Sequence, residues 1–180
     1  MSIIFVAGIH GVGKTSCCQS MVDIMGIPHF TASAIIKSEQ ATAIDNQTKS
    51  VKNVGANQTV LINGVKRILK NLNDRPWLLD GHFCIWNING QAEAIEPCVF
   101  QHLGVSKIIV FEDSPSEIHA RLSDRDMSNY DVDKLRQIQE MELNQAQLVA
   151  KNLSIPVTIL TAFDMKGFQN AIGKIYEQRT

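Results

Sequence analysis

The sequence predicts an α/β fold in which a parallel sheet is covered by helices on both faces. Longer stretches with apolar residues at helical spacing separate short runs that are apolar throughout. Strands that are buried on both faces read as continuous apolar runs, so this alternation is typical of a parallel sheet. The predicted strands are Ile3–Ala7, Trp77–Leu79, Lys107–Phe111, Pro156–Leu160 and a weaker one around Ile27–Phe30.

The stretches between these strands account for the helical layers. Three of them have an apolar face at helical spacing. These faces comprise Leu61, Val65, Ile68, Leu69 and Leu72 in the first, Leu135, Ile138 and Val149 in the second, and Phe168, Ile172 and Ile175 in the third. Ser114 followed by Pro115 and Glu117 predicts a helix start with a serine cap. The polar segment Ala41–Ala56 has no helical period, and we interpret it as a mobile loop or a poorly formed helix.

Composition limits the classes of protein that the chain can represent. Its 180 residues, 44% apolar, predict a single domain spanning residues 1–180. The net charge of −1 argues against a broadly basic surface, so nucleic acid is not the expected partner. No apolar run approaches the roughly 18–20 residues of a membrane span, and the first residues do not resemble a signal peptide. Cys17, Cys18, Cys84 and Cys98 lack zinc-site spacing and predict reduced thiols in the cytoplasm.

The most specific motif is GIHGVGKT, Gly8 to Thr15, which matches the phosphate-binding pattern G-x-x-x-x-G-K-[ST] (Walker A) in full. It follows a predicted strand and precedes a predicted helix, which is the context the motif requires. Its glycines permit backbone conformations that bring amide N–H groups close to phosphate oxygens. Lys14 is expected to reach the β- and γ-phosphates, and the Thr15 hydroxyl to hold Mg²⁺. The predicted nucleotide-binding residues here are Gly8, His10, Gly11, Val12, Gly13, Lys14, Thr15 and Ser16.

A second acidic element, WLLDGHF, places Asp80 at the end of an apolar strand. A strand-end carboxylate near a triphosphate supports Mg²⁺, so we expect Asp80 and Thr15 to share the metal site. The alternative is that Asp80 only caps the strand or its turn. His82 is a candidate for contacting the phosphoryl acceptor.

Arg121 and Arg125 lie four residues apart and are expected to project from one face of a short helix. Guanidinium groups stabilise the charge on a phosphoryl group in transfer, so this helix–loop–helix, about residues 121–133, predicts a lid. The alternative is a solvated face with Asp124 and Asp126 as partners. Phe163, after the last strand, is a candidate base platform, with core packing as the alternative.

The acceptor side is expected between about residues 28 and 75. Thr31 or Ser33 can cap a short helix that carries Lys37, and Gln58 can read a base edge further on. Ordinary capping and surface roles explain these residues equally well. No carboxylate precedes Glu39 in this segment, which disfavours a sugar or polynucleotide kinase, since hydroxyl acceptors commonly use a general base.

In order, the elements GIHGVGKT, FTASAIIK, WLLDGH, IIVFED and RLSDRD resemble those of the P-loop nucleoside monophosphate kinases, above all the archaeal-type adenylate kinases. The resemblance implies a three-layer P-loop NTPase fold, a five-stranded parallel sheet of order 2-3-1-4-5 with a short lid, and ATP with Mg²⁺. It also implies reversible phosphoryl transfer to a nucleotide. Common adenylate kinases continue the strand-end acid as D-G-F-P-R, whereas this chain has Asp80-Gly81-His82-Phe83-Cys84 and lacks that acceptor-binding arginine.

The expected function is therefore that of a P-loop kinase, transferring phosphate from ATP to a small nucleotide or nucleoside. Three alternatives stay open: an ATP-dependent regulatory switch, a kinase of a non-nucleotide or polynucleotide hydroxyl, and a purely structural relative. A homo-oligomer is compatible with the sequence.

Overall fold

A computed structural model describes residues 2–45, 54–70, 72, 75–87, 91–127 and 130–176. The strands are β1 (Ile3–Ala7), β2 (His29–Thr31), β3 (Trp77–Asp80), β4 (Cys84–Trp86), β5 (Ala92–Ala94), β6 (Val105–Glu112) and β7 (Val157–Thr161). The helices are α1 (Lys14–Met25), α2 (Ala32–Asp45), α3 (Val54–Leu69), α4 (Pro97–Leu103), α5 (Pro115–Asp126), α6 (Val132–Leu153) and α7 (Met165–Tyr176).

Five of the strands form one parallel sheet in the order β2-β3-β1-β6-β7. Counting only the strands of this sheet, the order is the expected 2-3-1-4-5. The labels differ because an antiparallel hairpin, β4–β5, lies between the third and fourth strands, and the sequence analysis did not predict it. Its strands are three residues each, too short for a clear period-two pattern.

The core lies on both faces of the sheet because alternate residues of each strand point to opposite sides. Along β1, Ile4 and Val6 join one buried cluster, whereas Ile3 and Phe5 join the other. The first cluster includes apolar residues of α1, α5 and α7, and the second includes those of α3 and α4. The long helix α6 contributes residues to both clusters. This three-layer arrangement fixes the β1–α1 turn at the carboxyl edge of the sheet.

Local signals placed several element ends correctly. The Ser114 hydroxyl accepts a hydrogen bond from the Glu117 amide at 3.2 Å, as the predicted cap requires. The weak strand at Ile27–Phe30 is displaced to His29–Thr31. Of the polar segment Ala41–Ala56, residues 46–53 lie outside the described residues, and the flanking residues are helical. Within the described part of the chain, no helix is both long enough and apolar enough for a membrane span.

Candidate functional site

The turn between β1 and α1 has a backbone that only glycine adopts readily. Gly8, Gly11 and Gly13 have φ values of 135°, 80° and 102°. A Cβ atom on Gly8 would lie 2.4 Å from the carbonyl oxygen of Phe111. Among the described residues no side chain caps the start of α1 at Gly13, so the first amides of the helix are available to an anion. Val12 is buried beneath the turn, and Ser16 lines the cavity above it.

Lys14 is buried and folded back onto this turn. Its Nζ atom donates to the carbonyl oxygens of Gly8 at 2.7 Å and Ile9 at 3.2 Å. Burial lowers the pKa of Lys14, while the carboxylates of Asp80 and Glu142 act in the opposite direction. The ammonium group is therefore held within the phosphate-binding turn by carbonyls that a triphosphate oxygen can replace.

Thr15 and Asp80 meet at the mouth of the turn. The Thr15 hydroxyl donates to Oδ2 of Asp80 at 2.6 Å, and Asp80 is buried at the end of β3. Nε2 of His29, on the neighbouring strand β2, lies 3.8 Å from the same oxygen and makes no hydrogen bond within the described residues. Hydroxyl and carboxylate oxygens are hard ligands, so this donor pair fits a Mg²⁺ ion that retains several waters. The glycine turn and Lys14 fit the triphosphate that accompanies such an ion.

Glu142 is the buried acid that the sequence analysis missed. Its Oε1 accepts hydrogen bonds from the amides of Gly8 at 3.2 Å and Phe83 at 2.9 Å, and its Oε2 accepts one from Cys84 at 2.8 Å. Burial raises the pKa of Glu142, whereas these three amides and Lys14 lower it. The carboxylate thus ties the start of the phosphate-binding turn to the start of β4.

Leu135, Ile138 and Glu142 are spaced three and four residues apart and lie on the same buried face of α6. Glu142 therefore occupies a position where this pattern predicts an apolar residue. A charge on an otherwise apolar stripe was the signal that could have found it.

Two histidines face each other beside the turn. The rings of His10 and His82 lie 4.2 Å apart between centroids. Burial lowers the pKa of His82 well below its usual value, and Lys14 and His10 add to this effect. Loss of hydration also lowers the pKa of His10, with Lys14 and Arg125 acting in the same direction. Both shifts favour the neutral form of the imidazole.

The two arginines of α5 have different partners. Nε of Arg121 donates to the carbonyl of Gly11 at 2.9 Å, and its Nη2 donates to Asp113 at 2.7 Å. Arg125 is exposed and pairs with Asp126 through two hydrogen bonds of 2.6 and 2.7 Å. Arg121 thus contacts the phosphate-binding turn directly, while Arg125 reaches the cavity from its rim.

Phe163 lies beside the turn rather than in the core. Its side chain is 49% exposed, and its backbone has a φ of 63°. A Cβ atom on Gly13 would lie 2.6 Å from Cζ of Phe163, and the Arg121 guanidinium carbon is 5.4 Å from the ring centroid. The structure therefore brings the predicted base platform against both the turn and the predicted lid arginine.

One cavity of about 560 Å³ joins these groups. Of the residues predicted for the acceptor side, Thr31, Ser33, Gln58 and His82 line it. Lys37 is exposed on α2 and is not among the lining residues. The Thr31 hydroxyl accepts from the Ala34 amide at 3.1 Å, which makes it a cap for α2 as well. The apolar lining, which the sequence analysis did not single out, comprises Ile36, Leu61, Ile85, Ile95, Val99, Phe100 and Leu103.

Comparison with known proteins identifies a family for the chain. Residues 7–139 match the model of a family described as an AAA domain. The chain belongs to this AAA domain family. Sequence comparison of the AAA domain protein with curated proteins gives no significant match.

Solved structures share its fold at low identity. A gluconokinase from Sinorhizobium meliloti 1021 is 13% identical with a TM-score of 0.51, covering 99% of this chain and 97% of that one. A sugar kinase from Janibacter sp. HTCC2649 is 12% identical with a TM-score of 0.56, covering 96% of this chain and 95% of that one. At these identities the likeness shows that the AAA domain has the fold of P-loop kinases.

Proposed function

We propose that the protein transfers a phosphoryl group from ATP to a small acceptor, a nucleotide or a nucleoside, in the manner of an adenylate-kinase-like enzyme. One observation carries the proposal. The glycine turn, the buried ammonium of Lys14 and the Thr15–Asp80 pair all face a single cavity that continues beyond them for an acceptor. Two structural relatives are a gluconokinase and a sugar kinase, which supports a small-molecule acceptor in general.

Phosphoryl transfer depends mostly on positioning and on charge stabilisation, and the chain supplies both. The amides that begin α1 bind phosphate oxygens. Lys14 exchanges its bonds to Gly8 and Ile9 for bonds to the β- and γ-phosphates. Thr15 and Asp80 would hold Mg²⁺, which neutralises charge on the phosphates when it is bound.

The α5 arginines act on the transferring group. Arg121 already bonds Gly11 of the turn, so a small rotation of its side chain brings the guanidinium to a bound phosphate. Arg125 approaches from the rim and would close over the cavity, excluding water that would otherwise hydrolyse ATP. In this proposal residues 121–133 act as the lid, of which 128 and 129 lie outside the described residues. The acceptor region of this proposal spans about residues 28–75, of which 46–53, 71, 73 and 74 lie outside the described residues, and it is centred on Thr31, Ser33 and Gln58.

The test is an acceptor screen with radiolabelled ATP and Mg²⁺, using nucleosides, nucleoside monophosphates, sugars and short oligonucleotides. Lys14→Ala should reduce transfer at least about 100-fold, because a cation that stabilises the transferring charge is lost. Lys66→Ala is the matched control, since Lys66 is exposed on α3 away from the cavity. ATP hydrolysis with no phosphorylated acceptor would contradict the proposal and favour a regulatory switch. Equal rates for the two variants would contradict the role of Lys14.

A further inference from the structure

The wall of the cavity opposite the phosphate-binding turn is apolar. It is built by residues of α2, α3, α4 and β4, together with Ile95, which precedes α4. Its apolar members are Ile36, Leu61, Ile85, Ile95, Val99, Phe100 and Leu103. Phe100 packs against Phe83 and Phe5, whose ring centroids lie 4.6 and 5.1 Å away, and Phe5 also lines the cavity. An aromatic cluster therefore stiffens this wall, which we call the acceptor wall.

The polar side chains on the same side are uncharged. Thr31, Ser33, Asn57 and Gln58 line the cavity there, and Oδ1 of Asn57 accepts a hydrogen bond from Gln40 at 3.0 Å. Hydroxyl and amide groups can satisfy the polar edges of a neutral ligand. They do not neutralise a charged one.

Every lysine and arginine among the described lining residues belongs to the phosphate side. Lys14 bonds the carbonyls of the turn, Arg121 bonds Asp113 and Gly11, and Arg125 pairs with Asp126. Lys37 is on α2 but is exposed and outside the lining. An anion placed against the acceptor wall would lose hydration without gaining a cation from the described lining residues, which weakens its binding.

We propose that the acceptor is an uncharged molecule with a flat apolar or aromatic body and a free hydroxyl. Nucleosides belong to this chemical class. Monophosphates and sugar acids do not, and the proposal excludes them as acceptors. This inference rests on the proposed kinase function and narrows its substrate. The body packs against Ile36, Leu61 and Phe100, and its hydroxyl faces the γ-phosphate held by the turn.

The reaction balances without any further reactant. The acceptor oxygen forms a bond to the γ-phosphorus, and the bond from that phosphorus to the β,γ-bridging oxygen breaks. The bond's electron pair leaves with ADP, and the hydroxyl proton passes to an oxygen of the transferred phosphoryl group, from which it reaches solvent when the product leaves. The missing carboxylate before Glu39 disfavours sugar and polynucleotide kinases by sequence, but a loose transition state asks little of a general base, so a hydroxyl acceptor still fits the site.

The first experiment compares each nucleoside with its own 5′-monophosphate under one set of conditions. We expect kcat/KM to favour the nucleoside by at least about 100-fold, the size of effect that an unpaired charge in an apolar site produces. An equal or higher kcat/KM for a monophosphate, or for gluconate, overturns the inference while the kinase function stands. The absence of any phosphorylated product from the whole panel overturns both.

The second experiment uses variants of neighbouring residues on α2. Ile36→Lys puts a cation on the acceptor wall, and Ile36→Ala removes apolar contact without adding charge. Both should raise KM for the best neutral acceptor, by about tenfold for the lysine variant. Ligand-observed NMR with that acceptor should show the same loss of binding in the absence of turnover.

Lys37→Ala is the matched control, and it should leave KM, ligand binding and melting temperature unchanged. Melting curves show whether each Ile36 variant is folded, and Ile36→Ala still tests the wall if Ile36→Lys does not fold. A rise in KM or a loss of binding with Lys37→Ala, or improved turnover with Ile36→Lys, would mean that a cation recognises the acceptor and would overturn the inference.

Discussion

Replacing Glu142 should damage both the stability of the protein and its nucleotide site. The Glu142 side chain is 1% exposed, and its two oxygens accept three backbone hydrogen bonds, from Gly8, Phe83 and Cys84. Two of those amides begin the β4 hairpin, and the third lies at the first glycine of the phosphate-binding turn. Glu142→Ala leaves all three donors without their acceptor in the interior.

The magnitude follows from those contacts. A buried donor left unsatisfied costs about 1–3 kcal/mol. Part of the total loss is offset, because the variant no longer has to bury a carboxylate. We expect a net loss of about 3–5 kcal/mol in the free energy of unfolding. For a chain of this size, each kcal/mol lowers the melting temperature by about 2–4 °C, so the midpoint should fall by about 10 °C. Glu142→Gln keeps one oxygen acceptor and should show an intermediate loss.

The assay combines thermal unfolding, followed by circular dichroism, with ATP titration by calorimetry. Glu140→Ala is the matched control because Glu140 is an exposed glutamate on the same helix, and its effect should stay within about 0.5 kcal/mol. ATP affinity should fall in Glu142→Ala below its melting temperature, because Gly8 loses its anchor. A melting temperature within 2 °C of the control, with unchanged ATP affinity, would refute the reasoning.

Three further predictions concern single features of the molecule. Gly8→Ala should abolish ATP binding in calorimetry, because the added Cβ would lie 2.4 Å from a backbone carbonyl oxygen of β6. Gly173→Ala in α7 is the control and should be tolerated, since there is open space around Gly173. Normal ATP affinity of Gly8→Ala would contradict this prediction. Native protein should show one fast-reacting thiol with Ellman's reagent, Cys98, since the other cysteines are buried, and a fast phase that survives in Cys98→Ser would refute it. Phe163→Ala should weaken ATP binding about tenfold through lost base stacking, with little change in melting temperature. Ile24→Ala, which also truncates an exposed apolar side chain, should leave ATP affinity unchanged. Equal ATP affinities of the two variants would show that Phe163 has no role in binding.

The parts that sequence analysis predicted are those with a local cause. The glycine-lysine turn is written in consecutive residues, and its position between β1 and α1 follows from the apolar run before it. The sheet order came from a resemblance, and the structure gives the same order for the strands of the main sheet. The Ser114 cap is likewise a contact between residues three apart. Such features need no knowledge of which distant segments meet.

The parts that were missed depend on distant contacts. The residues that Glu142 joins are 134, 59 and 58 positions away along the chain, so no window of sequence contains both partners. Arg121 likewise donates to the carbonyl of Gly11, 110 positions away along the chain. The apolar acceptor wall was not foreseen for the same reason, since its residues come from four separate elements.

The contacts of residues 82–84 explain why this segment differs from the D-G-F-P-R pattern of adenylate kinases. The adenylate kinase pattern has an arginine where this chain has Cys84. Here Cys84 is buried, begins the β4 hairpin and donates its amide to Glu142, while Phe83 packs between Phe5 and Phe100 behind the acceptor wall. Cys84 lies in the buried cluster of α1, α5 and α7 and not in the one that holds the aromatic residues, so an arginine at position 84 would have to bury its charge there or unpair the hairpin, and either is costly. Phe83, the neighbour of Cys84, packs against Phe100 of the acceptor wall, and the acceptor side has no lysine or arginine among its described lining residues, which is why we expect a neutral acceptor.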